Sequence, residues 1–446
     1  MSEGKETIGV VGAGWVGLVT ASCFADLGHR VVARDIVAEK VASLSRGETT
    51  IHEPGLDDLL ARNSERLTFT TEMDELLDAA RLLFVCVDTP PTRSGDADLS
   101  RVRSVVDELP AESDHVLVMK STVPAGTGAA IRRDVPGLSY VSCPEFLKEG
   151  SAVADFMHPD RVVIGADAGD EAAGDALAAL YEPLGGEQVR TDVASAEMIK
   201  LASNAFLATK ISFVNEIANV CEEVGADVGE VARGMGLDQR IGPAFLRAGI
   251  GWGGSCFGKD TIALKKLAGN SGYHFQLLSA VIDVNELQKR RVVQKLKGRL
   301  DSLAGRRVAL LGLAFKPDTD DMRDAASLVL AARLQGEGAD VVAYDPVAGD
   351  KARELLDGVE LRDSALAALE GADAAVLVTE WGEFAELDWT VAAERMARPL
   401  LVDGRNFLDP DRLIAAGFEY EGIGRQSADD RRSSASTGRS RAEHAP

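Results

Sequence analysis

A single cysteine stands in a glycine-rich loop that ends in a cation and a carboxylate. The loop reads GWGGSCFGKD over residues 251–260, with Cys256 among four glycines and Lys259 and Asp260 close behind it. A nearby ammonium favours the thiolate, and glycines let a substrate backbone or a phosphate come close. A lone cysteine is more often structural than catalytic. The loop nevertheless predicts that Cys256 is a covalent nucleophile.

Lys200 and Asn204 share one face of an apolar, alanine-rich stretch, because they lie four residues apart. A desolvated lysine in such a place stabilises an oxyanion. The alternative is a lysine whose charged tip reaches solvent while its stem packs on apolar neighbours.

Two carboxylates flank an apolar pair in CPEFLKEG, at Glu145 and Glu149. Paired carboxylates serve as a general base and an orienting group. The alternative is the glutamate-rich first turn of a helix, which is common.

The N-terminal GAGWVG has the GxGxxG spacing, at Gly12, Gly14 and Gly17. It follows an apolar run, opens a helical stretch, and is followed by Asp35 at the end of a second apolar run. This context predicts a dinucleotide whose pyrophosphate meets the helix N-terminus and whose ribose binds Asp35. Asp35 would repel a 2′-phosphate, so we expect NAD and not NADP, although Arg34 stands beside it. A tight strand–helix turn without a ligand is the alternative.

Alternating apolar runs and helical stretches over the first 190 residues predict a parallel doubly wound sheet. The predicted strands are 7–12, 30–35, 82–87, 115–120 and 161–165, with a helix over 16–28 after the first. A stretch without Gly or Pro then predicts one long helix over 194–224, with Asp192 as N-cap and Gly225 as the stop.

The opening pattern returns near residue 306 and predicts a second Rossmann-like domain. Its strands are 306–315, 340–345 and two later runs, AAVLVT and PLLVDG. Phe315 and Lys316 stand where a dinucleotide fingerprint needs glycines. Lys316, Arg323 and Arg405 would suit a nucleotide diphosphate, unless they are ordinary surface charges.

The fold class is therefore α/β, with two Rossmann-like doubly wound domains joined by a long central helix and a helical dimerisation region. The predicted domains are 1–190, 191–300, 301–424 and a disordered tail over 425–446. The chain has 446 residues and a formal charge of −23, which argues against nucleic acid and anionic membranes as partners. Five cysteines without metal spacing, and no signal or membrane-spanning segment, predict a reduced cytoplasmic protein with no metal site.

Taken together, these segments resemble the nucleotide-sugar 6-dehydrogenase family of UDP-glucose and GDP-mannose dehydrogenases, from about Thr7 to about Arg405. The matching segments are GVVGAGWVGL, VDTPPTRSGDADLS, STVPAGTG, PEFLKEGSAVADFMHPDRVVIG, EMIKLASNAFLATKISFVNEIA, GIGWGGSCFGKD and GLAFKPDTDDMRDAAS. One departure is Cys143, where the family usually has asparagine.

The resemblance implies an NAD-dependent four-electron oxidation of UDP-glucose to UDP-glucuronate by a homodimer. It implies that Cys256 is the nucleophile, that Lys200 and Asn204 stabilise the oxyanion, that Asp260 and Thr122 move a proton through a water, and that Glu145 assists hydrolysis. The residues it places at NAD are Gly12, Gly14, Val16, Gly17, Asp35, Lys40, Thr89, Ser121, Thr122, Glu149, Lys259 and Arg323. Those it places at the nucleotide sugar are Glu145, Phe146, Leu147, Lys148, Lys200, Asn204, Arg240, Phe245, Gly251, Phe315, Lys316 and Arg405, with Arg240 reaching the partner subunit's site. GDP-mannose or a UDP-N-acetylhexosamine is the alternative substrate, and a non-catalytic nucleotide-sugar-binding regulator is the alternative class.

Overall fold

The computed structural model describes residues 5–110 and 113–425, and the chain divides into two compact units. The first runs through Ala205 and includes Lys259–His274; the second comprises Phe206–Gly258 and the chain from Phe275 onward. The domain boundaries drawn from the sequence stay a prediction. Apart from Arg425, the predicted tail lies outside the described residues.

An eight-stranded sheet in the order β3-β2-β1-β4-β5-β6-β7-β8 forms the centre of the first unit. Its strands are β1 Ile8–Val11, β2 Val31–Arg34, β3 Leu67–Thr70, β4 Leu82–Val85, β5 Val116–Met119, β6 Ser139–Ser142, β7 Arg161–Ala166 and β8 Glu187–Thr191. Strands β1 to β6 are parallel, in the order of a doubly wound dinucleotide-binding sheet.

The prediction of a wholly parallel sheet is wrong for the strand near residue 161. Strand β7 pairs antiparallel with β6 and parallel with β8. After β6 the chain continues past the carboxyl edge of the sheet and turns back through a short helix, so β7 returns in the opposite direction. The segment between β6 and this helix is therefore left at the carboxyl edge.

Helices cover both faces of this sheet, so strands β1, β4 and β5 are buried along their whole length. The helices are α1 Trp15–Asp26, α2 Ala38–Ser45, α3 Leu56–Arg62, α4 Met73–Ala79, α5 Ser100–Asp107, α6 Thr127–Asp134, α7 Ala152–Met157 and α8 Glu171–Tyr181. Such two-sided burial explains why the strands read as continuous apolar runs.

The long helix α9 spans Val193–Val224, one residue longer than predicted. The predicted cap is present, because the Asp192 carboxylate accepts a hydrogen bond from the Ser195 backbone N–H at 2.8 Å. Gly225 follows with a φ of 78°, a left-handed conformation that ends the helix.

The second unit repeats the topology with a six-stranded parallel sheet in the order β11-β10-β9-β12-β13-β14. Its strands are β9 Arg307–Leu311, β10 Asp340–Tyr344, β11 Glu360–Leu361, β12 Ala374–Leu377, β13 Leu400–Asp403 and β14 Glu419–Gly422. The remaining helices are α10 Val228–Gly236, α11 Phe257–Asn270, α12 Gln276–Leu300, α13 Ala326–Gly336, α14 Gly349–Leu355, α15 Ala365–Leu369, α16 Gly382–Glu386, α17 Trp389–Arg395 and α18 Pro410–Ala415. The predicted fold class is confirmed. Within the described residues, no helix is both long and apolar enough to cross a bilayer.

Candidate active site

The GxGxxG turn joins β1 to α1 in the form a dinucleotide site requires. Gly12 has a φ of 95°, and a Cβ at Gly17 would overlap the Gly12 carbonyl oxygen. Gly14 is the N-cap of α1, and a side chain there would project into open space in front of the helix N-terminus. That space, together with the amides of the first turn, fits a pyrophosphate. Val16 lies half-buried in the same turn.

Asp35 is anchored at the end of β2 and tied to the fingerprint turn. Its carboxylate accepts hydrogen bonds from the Ala13 N–H at 2.9 Å and the Val37 N–H at 3.0 Å, and it pairs with Lys40 Nζ at 2.9 Å. Arg34 pairs instead with Glu108. A carboxylate so placed fits a ribose hydroxyl.

The loops after β4 and β5 bring three predicted cofactor residues together. Thr89 Oγ1 donates to the Thr122 carbonyl oxygen at 2.7 Å, and Ser121 Oγ donates to the Val87 carbonyl oxygen at 2.6 Å. Both loops leave the carboxyl edge of the sheet, where ligands bind in this fold. Glu149, also predicted at the cofactor, lies half-buried after β6.

A buried ion pair joins the loop after β6 to α9. Lys200 Nζ donates to Glu145 Oε1 at 2.8 Å, and the two side chains are 4% and 6% exposed. Burial raises the pKa of Glu145, but Lys200 and the Leu147 N–H outweigh it, so this pKa is lower than its usual value. Two alternatives left open by the sequence are therefore wrong: Lys200 does not reach solvent, and Glu145 precedes α7 by several residues.

A second carboxylate of the first unit, Asp260, is 1% exposed and accepts bonds at both oxygens. Lys259 Nζ lies 2.6 Å from Oδ1, and Asn204 Nδ2 donates to Oδ2 at 2.6 Å. A small pocket of about 10 Å³ beside it is also lined by Thr89 and Thr122. That volume suits a single water among polar groups.

The other predicted residues after β6 directly follow Glu145 in the same segment. The Phe146 ring lies 3.9 Å from the Arg161 guanidinium and 5.4 Å from Lys200 Nζ. Leu147 donates its N–H to Glu145 Oε2 at 2.6 Å. Lys148 is exposed and pairs with Asp155 at 3.2 Å.

Cys256 belongs to the second unit and directly precedes α11, whose first turn contains Asp260. It is half-buried, whereas the other four cysteines are buried. Burial raises the pKa of Cys23 and of Cys86 to about 12, which makes both thiols unreactive at neutral pH. Cys256 is thus the accessible thiol of the chain.

The glycines before Cys256 have a reason that the sequence did not reveal. A Cβ at Gly251 would meet Asn285 Oδ1, one at Gly253 would meet the Asp324 carbonyl oxygen, and one at Gly254 would meet the Phe315 ring. Their small size lets the loop pack against its own unit. Packing within the second unit is therefore enough to explain the glycines at 251, 253 and 254, and the prediction that they give a ligand room to approach stays a prediction.

Arg405 connects this loop to the second sheet. Its guanidinium donates to the carbonyl oxygens of Gly251 at 2.9 Å, Val378 at 2.7 Å and Phe315 at 3.2 Å. Lys316 Nζ lies 5.4 Å from the Phe315 ring. The structure thus brings together three predicted substrate residues that are far apart in sequence.

Three further residues of the second unit were predicted at the ligands, and one of them, Arg323, adjoins the cysteine loop, because its carbonyl oxygen accepts a hydrogen bond from the Gly254 N–H at 3.0 Å. Phe245 has a φ of 62° and its ring lies 6.4 Å from that of Phe257. The side chains of Arg240 and Arg323 are 88% and 60% exposed, and pair with nearby aspartates.

Sequence reasoning missed two buried carboxylates of the first unit. Glu53 accepts hydrogen bonds from Trp15 Nε1 at 2.9 Å and the Ala152 N–H at 2.8 Å, and so ties the fingerprint helix to α7. Glu197 accepts from the N–H groups of Gly126 and Gly128 at the start of α6. The available signal for Glu197 was its position one turn before Lys200 on an apolar helix face.

Three models of one family match the chain in order. The NAD binding domain, the central domain and the UDP binding domain of the UDP-glucose/GDP-mannose dehydrogenase family match residues 6–185, 194–287 and 309–410. The predicted cofactor, NAD, is thereby confirmed.

Individual proteins agree with the family models. The chain is 47% identical over 446 residues to a UDP-glucose 6-dehydrogenase of Pseudomonas aeruginosa, covering 94% of this chain and 97% of that one. It is 45% identical over 430 residues to UDP-glucose 6-dehydrogenase TuaD of Bacillus subtilis, covering 94% and 93%. A solved UDP-glucose dehydrogenase of Pyrobaculum islandicum superposes with a TM-score of 0.87 at 38% identity, covering 95% and 99%. The resemblance seen in the sequence is confirmed, and the chain belongs to the UDP-glucose/GDP-mannose dehydrogenase family.

Proposed function

We propose that the chain oxidises UDP-glucose to UDP-glucuronate with two molecules of NAD, through a thiohemiacetal and a thioester on Cys256. The observation that carries this proposal is the exposure of one thiol, Cys256, four residues before a buried carboxylate held by Asn204 and Lys259. The relatives described above, at about 45% identity over nearly the whole chain, support UDP-glucose as the substrate.

The first oxidation needs a group that removes the proton of the 6-hydroxyl. Asp260, with a water held between it and Thr122, is the proposed acceptor. Lys259 and Asn204 keep the carboxylate oriented. When bound, NAD accepts one hydride in each of the two oxidations.

The second oxidation starts from an aldehyde, which is a poor hydride donor until a nucleophile adds to its carbonyl. The Cys256 thiolate adds and forms a thiohemiacetal, whose loss of hydride leaves a thioester. Lys200 and Asn204 stabilise the developing oxyanion. An ammonium has three N–H donors and an amide has two, so both can donate to it while keeping Glu145 and Asp260 as partners.

Hydrolysis then returns the thiol. A water adds to the thioester carbonyl, its proton passes to Glu145, and the carbon–sulfur bond breaks to release the sugar acid. Glu145 is proposed for this step because it is held as a carboxylate by Lys200 at 2.8 Å, and a carboxylate accepts a proton.

The nucleotide end of the substrate is assigned to the second unit. Lys316 and Arg405 supply cations for the diphosphate, and Phe245 and Phe315 supply aromatic surface. A fingerprint for a second dinucleotide is lacking there, as the sequence predicted from Phe315 and Lys316.

We further propose a homodimer built on α9. Four exposed apolar side chains of its second-unit portion follow a spacing of seven, seven and four residues, which forms one stripe. They are Phe206, Phe213, Val220 and Val224, exposed by 64%, 50%, 56% and 70%. Arg240, whose side chain is 88% exposed, is available to reach the partner's site. The cytoplasmic location stays a prediction.

The test measures NADH formed per sugar acid with UDP-glucose, GDP-mannose and UDP-N-acetylhexosamines. We expect a ratio of two with UDP-glucose and a thioester on Cys256 detectable by mass spectrometry. Cys256→Ala should lose the second oxidation, whereas the matched control Cys221→Ala, in the buried core, should keep it. A ratio of one NADH per sugar acid, or acid formation by Cys256→Ala at the original rate, would refute the mechanism. Higher turnover with another nucleotide sugar would identify that sugar as the substrate. If none of the nucleotide sugars is turned over, the chain is the non-catalytic nucleotide-sugar-binding regulator.

A further inference from the structure

Glu197 is a buried carboxylate of the first unit that lies on α9, one turn before Lys200. Its side chain contacts the start of α6. Oε2 accepts a hydrogen bond from the Gly126 N–H at 2.7 Å, and Oε1 accepts one from the Gly128 N–H at 2.8 Å. Only 2% of Glu197 is exposed, so water cannot take over either bond. The carboxylate therefore fixes the start of α6 to α9.

The start of α6 depends on an acceptor from another element. Gly126 is the N-cap, has a φ of 96° and has no side chain with which to cap the helix. The amides of Gly126 and Gly128 bond to different oxygens of Glu197, so both oxygens are used. A carboxylate has two acceptor oxygens, whereas the amide of a glutamine has one. Replacing Glu197 by Gln would therefore remove at least one of the two bonds.

The loop between β5 and α6 also forms one wall of the small pocket at Asp260. Asp260 lines this pocket from α11 and is itself attached to α9, because Asn204 Nδ2 donates to it at 2.6 Å. The loop residues that line the pocket, together with Leu201 of α9, are Thr122, Val123 and Pro124. Both walls are thus attached to α9, the loop through Glu197 and Asp260 through Asn204.

We propose that Glu197 is a positioning residue for the first oxidation, because it holds Thr122 and Asp260 at the spacing of one shared water. The inference rests on the proposed function, in which that water carries the proton of the 6-hydroxyl to Asp260. A pocket of about 10 Å³ has room for a single water, so its walls leave little tolerance. Misplacing a reacting group by about 1 Å can lower a rate by about 100-fold, so a small movement of the loop is enough to slow this step.

Only the first of the two oxidations should depend on this spacing. When the 6-hydroxyl is oxidised, a proton leaves the oxygen and a hydride leaves the carbon for NAD. The second oxidation begins when the Cys256 thiolate adds to the aldehyde, which leaves the oxygen as an anion with no proton to remove. The aldehyde, supplied in place of the alcohol, therefore bypasses the step that Glu197 supports.

The experiment compares kcat/KM for UDP-glucose with kcat/KM for its 6-aldehyde, at saturating NAD. Glu197→Gln keeps the shape of the side chain but has one acceptor oxygen fewer, and Glu197→Asp keeps both oxygens but is one methylene shorter. The matched control is Tyr140→Phe. Tyr140 Oη donates to Oε1 of the same carboxylate at 3.2 Å, so this variant removes a bond to Glu197 and leaves both amide bonds in place.

We expect Glu197→Gln to lower kcat/KM for UDP-glucose by about 10- to 100-fold and to leave kcat/KM for the aldehyde unchanged. Glu197→Asp should show the same selectivity with a smaller loss, and Tyr140→Phe should keep both values. A role in stability alone would lower both values together, because it reduces the amount of active protein. An equal loss with the two substrates, or no loss in either Glu197 variant, would overturn the proposal. If the unsubstituted protein oxidises neither substrate, the proposed function itself is refuted.

Discussion

Replacing Lys200 by Met tests the buried ion pair at the centre of the first unit. The substitution keeps the length and apolar stem of the side chain but removes the ammonium 2.8 Å from Glu145. Since both side chains are at least nine-tenths buried, water cannot replace the lost partner. Removing one member of a buried pair costs about 3–5 kcal/mol of unfolding free energy.

The loss of unfolding free energy in Lys200→Met should increase as the pH rises. In the unsubstituted protein burial raises the pKa of Glu145, and Lys200 is the largest cause that lowers it. The lowered pKa contributes stability that is present above the pKa of the unfolded chain and is lost as pH falls through the folded pKa. Without Lys200, burial dominates and the pKa of Glu145 rises above its usual value. The variant is then destabilised progressively as pH rises through that range, because the folded state must release a proton from a buried carboxyl.

The free energy of unfolding is measured by urea unfolding, followed by circular dichroism, at pH 5.5 and at pH 8. Both pH values lie above the sequence pI of about 4.7. The deficit of Lys200→Met should be larger at pH 8. The double variant Lys200→Met/Glu145→Gln carries no carboxylate at position 145, so its deficit should be smaller at pH 8 and equal at the two pH values. A deficit of Lys200→Met that does not change with pH, or a double variant no more stable than the single one, would refute this reasoning.

Two further predictions follow from the anchored Asp35 and from the exposed stripe on α9. Asp35→Asn should lower kcat/KM for NAD by about 10- to 100-fold, which corresponds to the loss of one hydrogen bond to a charged group. It should also reduce the ratio of kcat/KM for NAD to kcat/KM for NADP. Equal kcat/KM for the two cofactors in the unsubstituted protein would contradict the role of Asp35. Phe213→Glu should shift the protein to monomers in light scattering, because it places a charge in the proposed helix interface. The control is Leu355→Glu, because Leu355 is an apolar residue outside α9 that is 55% exposed. A Phe213→Glu protein that remains dimeric would exclude this interface.

Local sequence patterns predicted the elements whose causes are local. The turn at Gly12, the helix over residues 194–224 and its cap at Asp192 all depend on neighbours within a few residues, and the structure has each of them. Strands with mixed polarity were missed. Strand β8, Glu187–Thr191, has no buried residue in its pattern and so lacks the apolar run that marks the others.

Pairings between distant residues were beyond the sequence. The partner of Lys200 lies 55 positions away at Glu145, and this distance is why solvent exposure of the lysine was an equal alternative. The packing of Gly254 against Phe315 has the same origin, since the two are brought together by the fold alone. The sequence therefore predicted which residues are candidates for the site, but it did not predict their burial or their hydrogen-bond partners.

The six strands of the second sheet have the order of the first six strands of the first sheet, yet only the first sheet carries a dinucleotide fingerprint. The difference lies in one connection. Between β1 and α1 the chain uses residues 12–14, so the helix N-terminus faces the carboxyl edge directly. Between β9 and α13 it uses residues 312–325, and this longer connection packs against the loop that carries Cys256.

The contacts of the longer connection show what replaced the phosphate cradle. The Gly254 N–H donates to the Arg323 carbonyl oxygen at 3.0 Å, and the Phe315 ring occupies the space beside Gly254. A short connection exposes helix amides to a phosphate, whereas a long one covers them and supplies side chains such as Lys316. In the second unit the longer connection therefore supplies a surface of side chains and carbonyl oxygens that packs against the loop carrying Cys256, where the first unit has a short turn that leaves helix amides open to a phosphate.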